Sequence, residues 1–220
     1  MFSTEWEEIF KAKTHMSIWP WSDLVSYVSR YAKPDQEFQR VLELGCGVGA
    51  NIPFFIKRGS AYSAVEGSLS AVSHVHAMYP QLAESIVCGD FTAEIPFSGP
   101  FDLVIDRVAL PHNSTKAISR SLAMIYRLLR EGGKFIGIDW FSSLHEDFGR
   151  GTMVDTYTRR DIESAAANGV GEVHFFDHEH LRKLLVGSGF EIERLEHKVS
   201  NVLLPQESHL AWWNFVAVKK

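Results

Sequence analysis

The apolar residues near the start of the chain recur at intervals of three and four, which is the spacing of one helix face. The first set predicts an amphipathic helix over residues 2–13 and comprises Phe2, Trp6, Ile9 and Phe10. After a break at Trp19-Pro20-Trp21, a second set predicts another helix and comprises Leu24, Tyr27, Val28 and Tyr31. Because proline cannot continue a helix, Pro34 is predicted to end the second one.

From residue 40 onward, short apolar runs alternate with helical patterns. The runs predict strands at 40–44, 61–65, 85–88, 101–106 and 134–139. Between them, helices are predicted at 50–58 and 68–79, and a third has an apolar face of Ile118, Leu122, Ile125 and Leu129. The turn Glu131-Gly132-Gly133 is predicted to separate that helix from the next strand. Strands separated by helices of this length pair in parallel through right-handed crossovers.

The end of the chain follows a different pattern. Residues 140–176 are polar and contain several glycines, so we interpret them as an insertion on the substrate side. A helix over 178–187, capped by Asp177, precedes strands at 190–199 and 211–218. Only a polar loop joins these two strands, so they are predicted to pair in antiparallel fashion. The predicted fold is α/β, a doubly wound, mostly parallel seven-stranded sheet with an antiparallel C-terminal pair and an N-terminal helical extension.

The length and charge of the chain limit its domain count and its partners. A chain of 220 residues is expected to form one domain, with a helical cap (1–35), a ligand-binding core (36–139), the insertion (140–176) and a last helix and hairpin (177–220). The net charge of −5, without any basic run, disfavours nucleic acid as a partner. No secretory signal and no apolar run of about 20 residues occur, which predicts a cytoplasmic protein without a membrane partner. The two cysteines form no disulfide or zinc pattern.

A glycine-rich turn follows the first predicted strand. It reads Gly45-Cys46-Gly47-Val48-Gly49, and glycines let backbone N–H groups approach a ligand closely. Gly45, Gly47 and Ala50 also satisfy the dinucleotide-binding pattern, so the turn alone leaves a dinucleotide open. Glu43, a charge within an apolar strand, favours a cationic ligand instead. The alternative is a tight turn beside a solvated glutamate.

Two further acidic positions follow the next two strands. Glu66-Gly67 ends the second strand, where a carboxylate in an open sheet binds ribose hydroxyls, although an ordinary surface acid is the alternative. Asp90-Phe91 follows the third strand. There Asp90 is expected to accept from an adenine amino group and Phe91 to lie against the ring, unless Asp90 only caps a turn.

Together these motifs resemble a known family. Residues 40–139 resemble the core of a class I S-adenosylmethionine-dependent methyltransferase of the small-molecule type, with Glu43 to Gly49 as its first motif, Glu66 as its ribose acid and Asp90-Phe91 as its adenine pair. The antiparallel strand pair at the end resembles the reversed seventh strand of that fold. The resemblance implies S-adenosylmethionine as the cofactor and methyl transfer as the reaction, and it adds Asp106 to the cofactor residues.

The loop after the fourth strand holds the candidate acceptor-side residues. In similar methyltransferases, a histidine at the position of His112 lies near the transferred methyl, so His112 is the candidate base. The alternative is a surface histidine or a helix cap. Arg107 is expected either to hold an acidic acceptor or to pair with Asp106 or Glu131. The Asn-Pro-Pro-aromatic motif of amino-directed nucleic-acid methyltransferases is absent from this segment.

Aromatic residues supply the remaining substrate-side candidates. Trp19 and Trp21 are expected to cover a sulfonium with their ring faces, or only to pack the N-terminal helices. Trp140 and Phe141 follow the fifth strand, where open sheets bind ligands. No metal site is expected, because His178 and His180 are two residues apart and point in different directions on a helix.

The predicted activity is methyl transfer to an oxygen, or a nitrogen, of a small acceptor. Trp19-Pro20-Trp21 and Asn51 resemble features of methyltransferases found with polysaccharide and secondary-metabolite pathways, which favours a sugar-like or secondary-metabolite acceptor. Two alternatives stay open. One is a nucleotide-dependent oxidoreductase, and the other is a methyltransferase-like binding protein without activity. The sequence gives no oligomeric state.

Overall fold

The computed structural model describes residues 5–32, 39–164 and 167–220. The predicted positions of Phe2 and Pro34 lie outside these ranges. The helices are α1 (Glu5–Lys11), α2 (Ser22–Tyr31), α3 (Ile52–Lys57), α4 (Leu69–Met78), α5 (Thr115–Leu128) and α6 (His178–Gly187). The strands are β1 (Arg40–Leu44), β2 (Ala61–Glu66), β3 (Ile86–Cys88), β4 (Phe101–Arg107), β5 (Leu129–Phe141), β6 (Thr152–Met153), β7 (Thr158–Arg160), β8 (Val173–His174), β9 (Glu191–Val202) and β10 (Ser208–Val218).

Seven strands form the main sheet, in the order β3-β2-β1-β4-β5-β10-β9. The pairs from β3 to β5 are parallel, and β10 runs antiparallel to both β5 and β9. This arrangement confirms the predicted fold, including the reversed strand near the end of the chain. The strand order reverses between β1 and β4, which is where open α/β sheets bind their ligands.

The register of the parallel strands aligns the predicted site residues. Glu43 of β1 lies opposite Ile105 of β4, and Leu44 lies opposite Asp106. Glu66 is the last residue of β2 and pairs with Cys88 of β3. The chain segments that leave β1, β2 and β4 therefore emerge at the same edge of the sheet.

Apolar side chains cover both faces of the main sheet. One face packs against α5 and α6 through buried residues that include Ile118, Leu122, Ile125, Leu181 and Leu185. The other face packs against α2, α3 and α4 through residues that include Leu24, Val28, Ile52, Phe55 and Val75. Because both faces are covered, the ends of the strands are where a ligand can reach the sheet.

The predicted insertion over 140–176 is more ordered than its polar sequence indicated. Strand β5 extends to Phe141, and β6, β7 and β8 form a separate antiparallel sheet. This part buries its own apolar cluster of Ile162, Ala167, Val170, Val173 and Phe175. The boundaries of the predicted cap, core, insertion and hairpin stay predictions.

The start of β5 also differs from the prediction. The strand begins at Leu129, which the helical period had assigned to α5, and Glu131-Gly132-Gly133 lies inside the strand. Gly132 has φ +72, and the pairing with β4 shifts register between Phe101 and Leu103. The glycines therefore form an irregularity within β5 instead of a turn before it.

Within the described ranges, none of the helices combines the length and the apolar character that a bilayer-spanning helix needs.

Candidate active site

The glycine turn after β1 adopts a backbone conformation that favours glycine. Gly45 has φ +67 and Gly47 has φ +53, in the left-handed region. A Cβ atom on Gly45 would lie 2.2 Å from Cβ of Ala109, and one on Gly47 would lie 3.3 Å from the ring of Phe10. The missing side chains therefore let the loop after β4 and the N-terminal helix approach the turn.

A cavity of about 430 Å³ lies between this turn and the N-terminal segment. One part of its wall consists of predicted cofactor residues, namely Glu43, Gly45, Cys46, Gly47, Glu66, Gly67 and Phe91. The rest comes mainly from the N-terminal segment and the loop after β4, and includes Trp6, Phe10, His15, Met16, Trp21, Arg107, Val108, His112 and Asn113. The volume and the largely apolar walls are those of a small-molecule site.

Glu43 is a buried carboxylate at the floor of this cavity. Its side chain is 1% exposed and accepts hydrogen bonds from Asn51 Nδ2 at 2.8 Å and from the Tyr62 hydroxyl at 2.5 Å. Burial raises the pKa of Glu43 to about 7, and the two donors only partly oppose this effect. Among the described residues no lysine or arginine pairs with it, so a cationic group of a ligand would stabilise its charged form.

Glu66 both lines the cavity and braces the glycine turn. Its Oε2 accepts from the backbone N–H of Gly47 at 2.8 Å, and its Oε1 accepts from the backbone N–H of Ser68 at 2.8 Å. Burial raises the pKa of Glu66, while these backbone donors lower it. Each carboxylate oxygen has a second lone pair, which leaves acceptor capacity for ligand hydroxyls.

The other two acidic candidates lie away from the cavity wall. Asp90 accepts from the backbone N–H and the hydroxyl of Thr92, at 2.8 and 2.6 Å, as in the turn-cap alternative, although Phe91 beside it lines the cavity. Asp106 is fully buried and accepts from Leu110 N–H at 2.8 Å and from the Trp140 indole at 2.7 Å. Burial raises its pKa to about 7. Asp106 therefore supports the loop after β4 from below, and the role expected for it at the cofactor stays a prediction.

His112 lines the cavity with a defined tautomer. Its Nδ1 lies 3.0 Å from the carbonyl oxygen of Glu172, and because a carbonyl only accepts, Nδ1 carries the proton and Nε2 keeps its lone pair. The rings of Trp6 and Phe141 pack edge-on against the imidazole, with centroids 4.9 and 6.0 Å away. Burial lowers the pKa of His112 to about 4, and the positive charge of Arg107 adds to this effect. The ring is therefore neutral at physiological pH.

Arg107 pairs with neither of the residues considered from the sequence. Its Nη2 lies 3.3 Å from Oδ2 of Asp139 on β5, and its guanidinium lies 3.6 Å from the centroid of the Trp21 ring. Trp21 thus lines the cavity, and its ring also covers the guanidinium of Arg107. Trp19 is 74% exposed and does not contact the cavity, so the expectation that it covers the site is not supported.

The aromatic residues at the end of β5 support the site from behind. Trp140 is fully buried in the main core, packing against Phe176 and Phe215, and its indole N–H is used by Asp106. Phe141 packs against the ring of His112 but does not line the cavity. Both residues thus support side chains at or beside the cavity, and the direct substrate contact expected for them stays a prediction.

Two of the histidines near α6, His174 and His180, pack together, whereas His178 is exposed. His174 is fully buried, with its Nε2 3.0 Å from Nε2 of His180 and its Nδ1 2.8 Å from the hydroxyl of Thr158. The ring of His180 stacks on Tyr157 at 3.7 Å. Asp177 caps α6, as expected, by accepting from the backbone N–H of His180. In the described part of the chain, no three His, Cys, Asp or Glu side chains are grouped to hold a metal ion.

Helix α1 contributes site residues that the sequence reasoning missed. Trp6 and Phe10 face the cavity, and the carboxylate of Glu7 accepts from Ser68 Oγ at 2.5 Å and from Ser70 N–H and Oγ at 3.1 and 2.6 Å. These donors lower the pKa of Glu7 to about 2. The carboxylate thereby attaches α1 to the start of α4. The helical spacing of Trp6 and Phe10 is visible in the sequence, but their packing partner is not.

Comparisons with known proteins identify a matching family and several structures with a similar fold. A family model described as a methyltransferase domain matches residues 13–195. Solved structures of S-adenosylmethionine-dependent methyltransferases match from Methanosarcina mazei (TM-score 0.69, 16% identity, covering 91% of this chain and 98% of that one), Clostridium acetobutylicum (0.66, 14%, 96% and 95%) and Mesorhizobium loti (0.66, 16%, 89% and 98%). At these identities the likeness shows the fold. No curated protein matches the sequence.

Proposed function

We infer the acceptor chemistry from one premise, that this chain belongs to the methyltransferase family whose domain model matches residues 13–195 and is an S-adenosylmethionine-dependent methyltransferase. Our proposal is that it methylates an oxygen, or a nitrogen, of a small sugar-like or secondary-metabolite molecule. The single observation that carries this proposal is the cavity of about 430 Å³, because the glycine turn and His112 both line it.

The residues at the glycine turn fit S-adenosylmethionine. Glu43 is a buried carboxylate without a cationic partner among the described residues, which suits the methionyl amine. Glu66 keeps free lone pairs for the two ribose hydroxyls, and Phe91 offers a ring to the adenine. Asp90, whose second oxygen has no hydrogen bond within the described ranges, is proposed for the adenine amino group. The cofactor supplies a methyl group on a positively charged sulfur.

The chain's own contribution to the reaction is mainly orientation. Aromatic side chains restrict the acceptor and exclude water, and holding two reactants in line lowers a barrier by about 7–11 kcal/mol. His112 directs its unprotonated Nε2 toward the removal of a proton from a hydroxyl, while the carbonyl of Glu172 holds the ring through Nδ1. A general base of this kind contributes about 10²–10⁴-fold to the rate.

A methyl-transfer assay tests the proposal directly. The purified chain is incubated with methyl-labelled S-adenosylmethionine and with sets of small phenols, glycosides and amines, and products are identified by mass. We expect label on the oxygen, or the nitrogen, of at least one set. Binding of S-adenosylhomocysteine without transfer to any compound would favour the binding-protein alternative. Tight binding of a nicotinamide dinucleotide without binding of S-adenosylhomocysteine would favour the oxidoreductase.

The affinity for the cofactor product should depend on pH through Glu43. Because burial raises the pKa of Glu43 to about 7 and an ammonium group stabilises the carboxylate, S-adenosylhomocysteine should bind more tightly as pH rises from 5.5 through 7. The gain should level off above about pH 7, once the Glu43 carboxyl is ionised. Calorimetry at several pH values measures the effect.

The variant Glu43→Gln provides the control for this pH dependence. The variant should bind S-adenosylhomocysteine more weakly, and its affinity should not increase between pH 5.5 and 7. The difference between the two proteins therefore isolates the effect of one carboxyl group.

The same carboxyl group affects stability. The folded-state pKa of Glu43 is raised, so its contribution to the stability of the ligand-free protein is present below about pH 4.5 and is lost as pH rises through about 7. An identical pH dependence of binding in both proteins would remove Glu43 from the amine site.

A further inference from the structure

Arg107 is the one arginine or lysine that lines the cavity in the described part of the chain. A guanidinium has five N–H donors. The described residues supply an acceptor only at Nη2, from Asp139 at 3.3 Å, and Nε is buried without a hydrogen-bond partner. By contrast, the guanidinium of Arg40 donates to the carbonyl oxygens of Pro100 and Ser98 at 2.8 and 2.9 Å. The cation of Arg107 is therefore held in place but poorly satisfied.

The charges around Arg107 do not complete its hydrogen bonding. Asp139 is shared with the Lys198 ammonium at 3.5 Å, and Asp23 is used by Lys198 and by Asn214. Asp106, the preceding residue, is occupied by Leu110 and Trp140 on the other side of the strand. A contact of 3.3 Å is also longer than the usual 2.7–2.9 Å of a charged pair. Arg107 therefore lines the cavity with one weak charged contact, and an anionic ligand there would add an acceptor for its guanidinium.

The position of the guanidinium is fixed on two sides. The Trp21 ring covers one face at 3.6 Å, and the backbone N–H of Trp21 donates to Asn51 Oδ1 at 3.3 Å. Arg107 reaches toward Asp139 on β5, whereas Glu43 stands on β1, on the other side of β4. The side chain of Arg107 is therefore directed toward β5, and the proposal places the acceptor on that side of the cavity.

Backbone strain accompanies this arrangement. Val108, directly after Arg107, has φ +62, and Asp139 has φ +58. A β-branched residue is rarely found in the left-handed region, and strain of this kind collects at ligand sites. One outlier directly follows Arg107, and the other is the residue with which Arg107 pairs.

We propose that the acceptor carries a carboxylate, which Arg107 binds while the atom to be methylated faces His112. This inference rests on the proposed function, since it names the acceptor class for the same cavity. It has one consequence for the base: the positive charge of Arg107 contributes to the low pKa of His112. A carboxylate that neutralises Arg107 would strengthen His112 as a proton acceptor.

Matched acid and amide pairs test the inference. Hydroxybenzoic, hydroxyphenylacetic and indole carboxylic acids are each compared with their primary amides, by calorimetry in the presence of saturating S-adenosylhomocysteine. We expect at least one acid to bind about tenfold or more tightly than its amide. Arg107→Gln should reduce this preference to within about twofold, and Arg107→Lys should restore part of it, while both variants keep wild-type melting temperatures and affinity for S-adenosylhomocysteine.

The control and the contrary outcomes are distinct. Arg130→Gln removes an exposed arginine that pairs with Asp102 at 2.6 Å, remote from the cavity, and should keep the preference. No preference for any acid in the wild-type protein would overturn the inference. So would Arg107 variants that lose S-adenosylhomocysteine affinity and keep the acid preference, because Arg107 would then serve the cofactor's own carboxylate. Methylation of amides and acids alike would overturn the carboxylate inference and leave the proposed function intact. Arg107-dependent binding of acids without any methyl transfer would leave the carboxylate site intact and overturn the proposed function.

Discussion

Replacing Glu66 with alanine should weaken the binding of S-adenosylhomocysteine by about 10- to 100-fold. The change removes an acceptor proposed for both ribose hydroxyls, and hydrogen bonds to a charged group contribute about 1.5–3 kcal/mol. It also removes the brace on Gly47 N–H and Ser68 N–H, each at 2.8 Å, so the glycine turn loses its fixed geometry. Calorimetry with the purified variant measures the loss of affinity.

The apo protein should lose stability as well, because two backbone N–H groups would be left without their acceptor. Glu66→Gln should fall between wild type and alanine, since its amide oxygen can still accept one of the two hydrogen bonds. Glu84→Ala, at an exposed acid after α4, should match wild type in both measurements. A melting temperature that drops while affinity stays the same would identify Glu66 as a brace alone.

Most of the main sheet could be predicted because its strands are short apolar runs between helices. The predicted starts and ends of β1, β2, β3 and β4 agree with the structure to within one residue. Strands β9 and β10 are longer than predicted, because their outer parts are exposed and carry polar residues that hide the period of two. Leu129 fits the apolar face of α5 and the first position of β5 equally well, so a local pattern does not decide between them.

Residues of the site could be predicted from the sequence only where their position along a strand places them at the cavity. Glu43 and Glu66 reach the cavity because parallel strands bring their carboxyl ends to one edge. Asp106 and Arg107 are neighbours, and successive strand residues face opposite sides, so only one of them was available to the cavity. Trp140 was assigned to the substrate because of its place at the strand end, but its side chain faces the main core.

The N-terminal contribution depends on packing over long distances along the chain. Nothing in the local pattern of α1 indicates that Glu7 would accept from Ser68 and Ser70. Nor does it indicate that Trp6 would pack against His112, more than 100 residues later. The amphipathic spacing predicted a buried face, and the fold supplied the partner.

The position of His112 changes what is expected of it as a base. An exposed histidine with a pKa near 6.5 would produce an acidic limb near neutrality. Burial and the neighbouring Arg107 lower the pKa of His112 to about 4, so the ring stays unprotonated across physiological pH. Its Nε2 is then always ready to accept a proton, although it is a weaker base than an exposed imidazole. At saturating cofactor, and with an acceptor that carries no carboxylate, kcat should therefore stay level from about pH 7 to pH 5 and fall only as pH approaches 4.

His112→Ala should lower the turnover of a hydroxyl acceptor by about 10²-fold or more, with the affinity for S-adenosylhomocysteine within a few-fold of wild type. The reason is the loss of Nε2, whose lone pair is free because the protonated Nδ1 donates to the Glu172 carbonyl. Steady-state kinetics at saturating cofactor measure kcat, and His209→Ala, at an exposed hairpin position, serves as the control. A drop of less than about fivefold would remove His112 from the chemistry, and a larger effect of His15→Ala would transfer the role to the other histidine that lines the cavity.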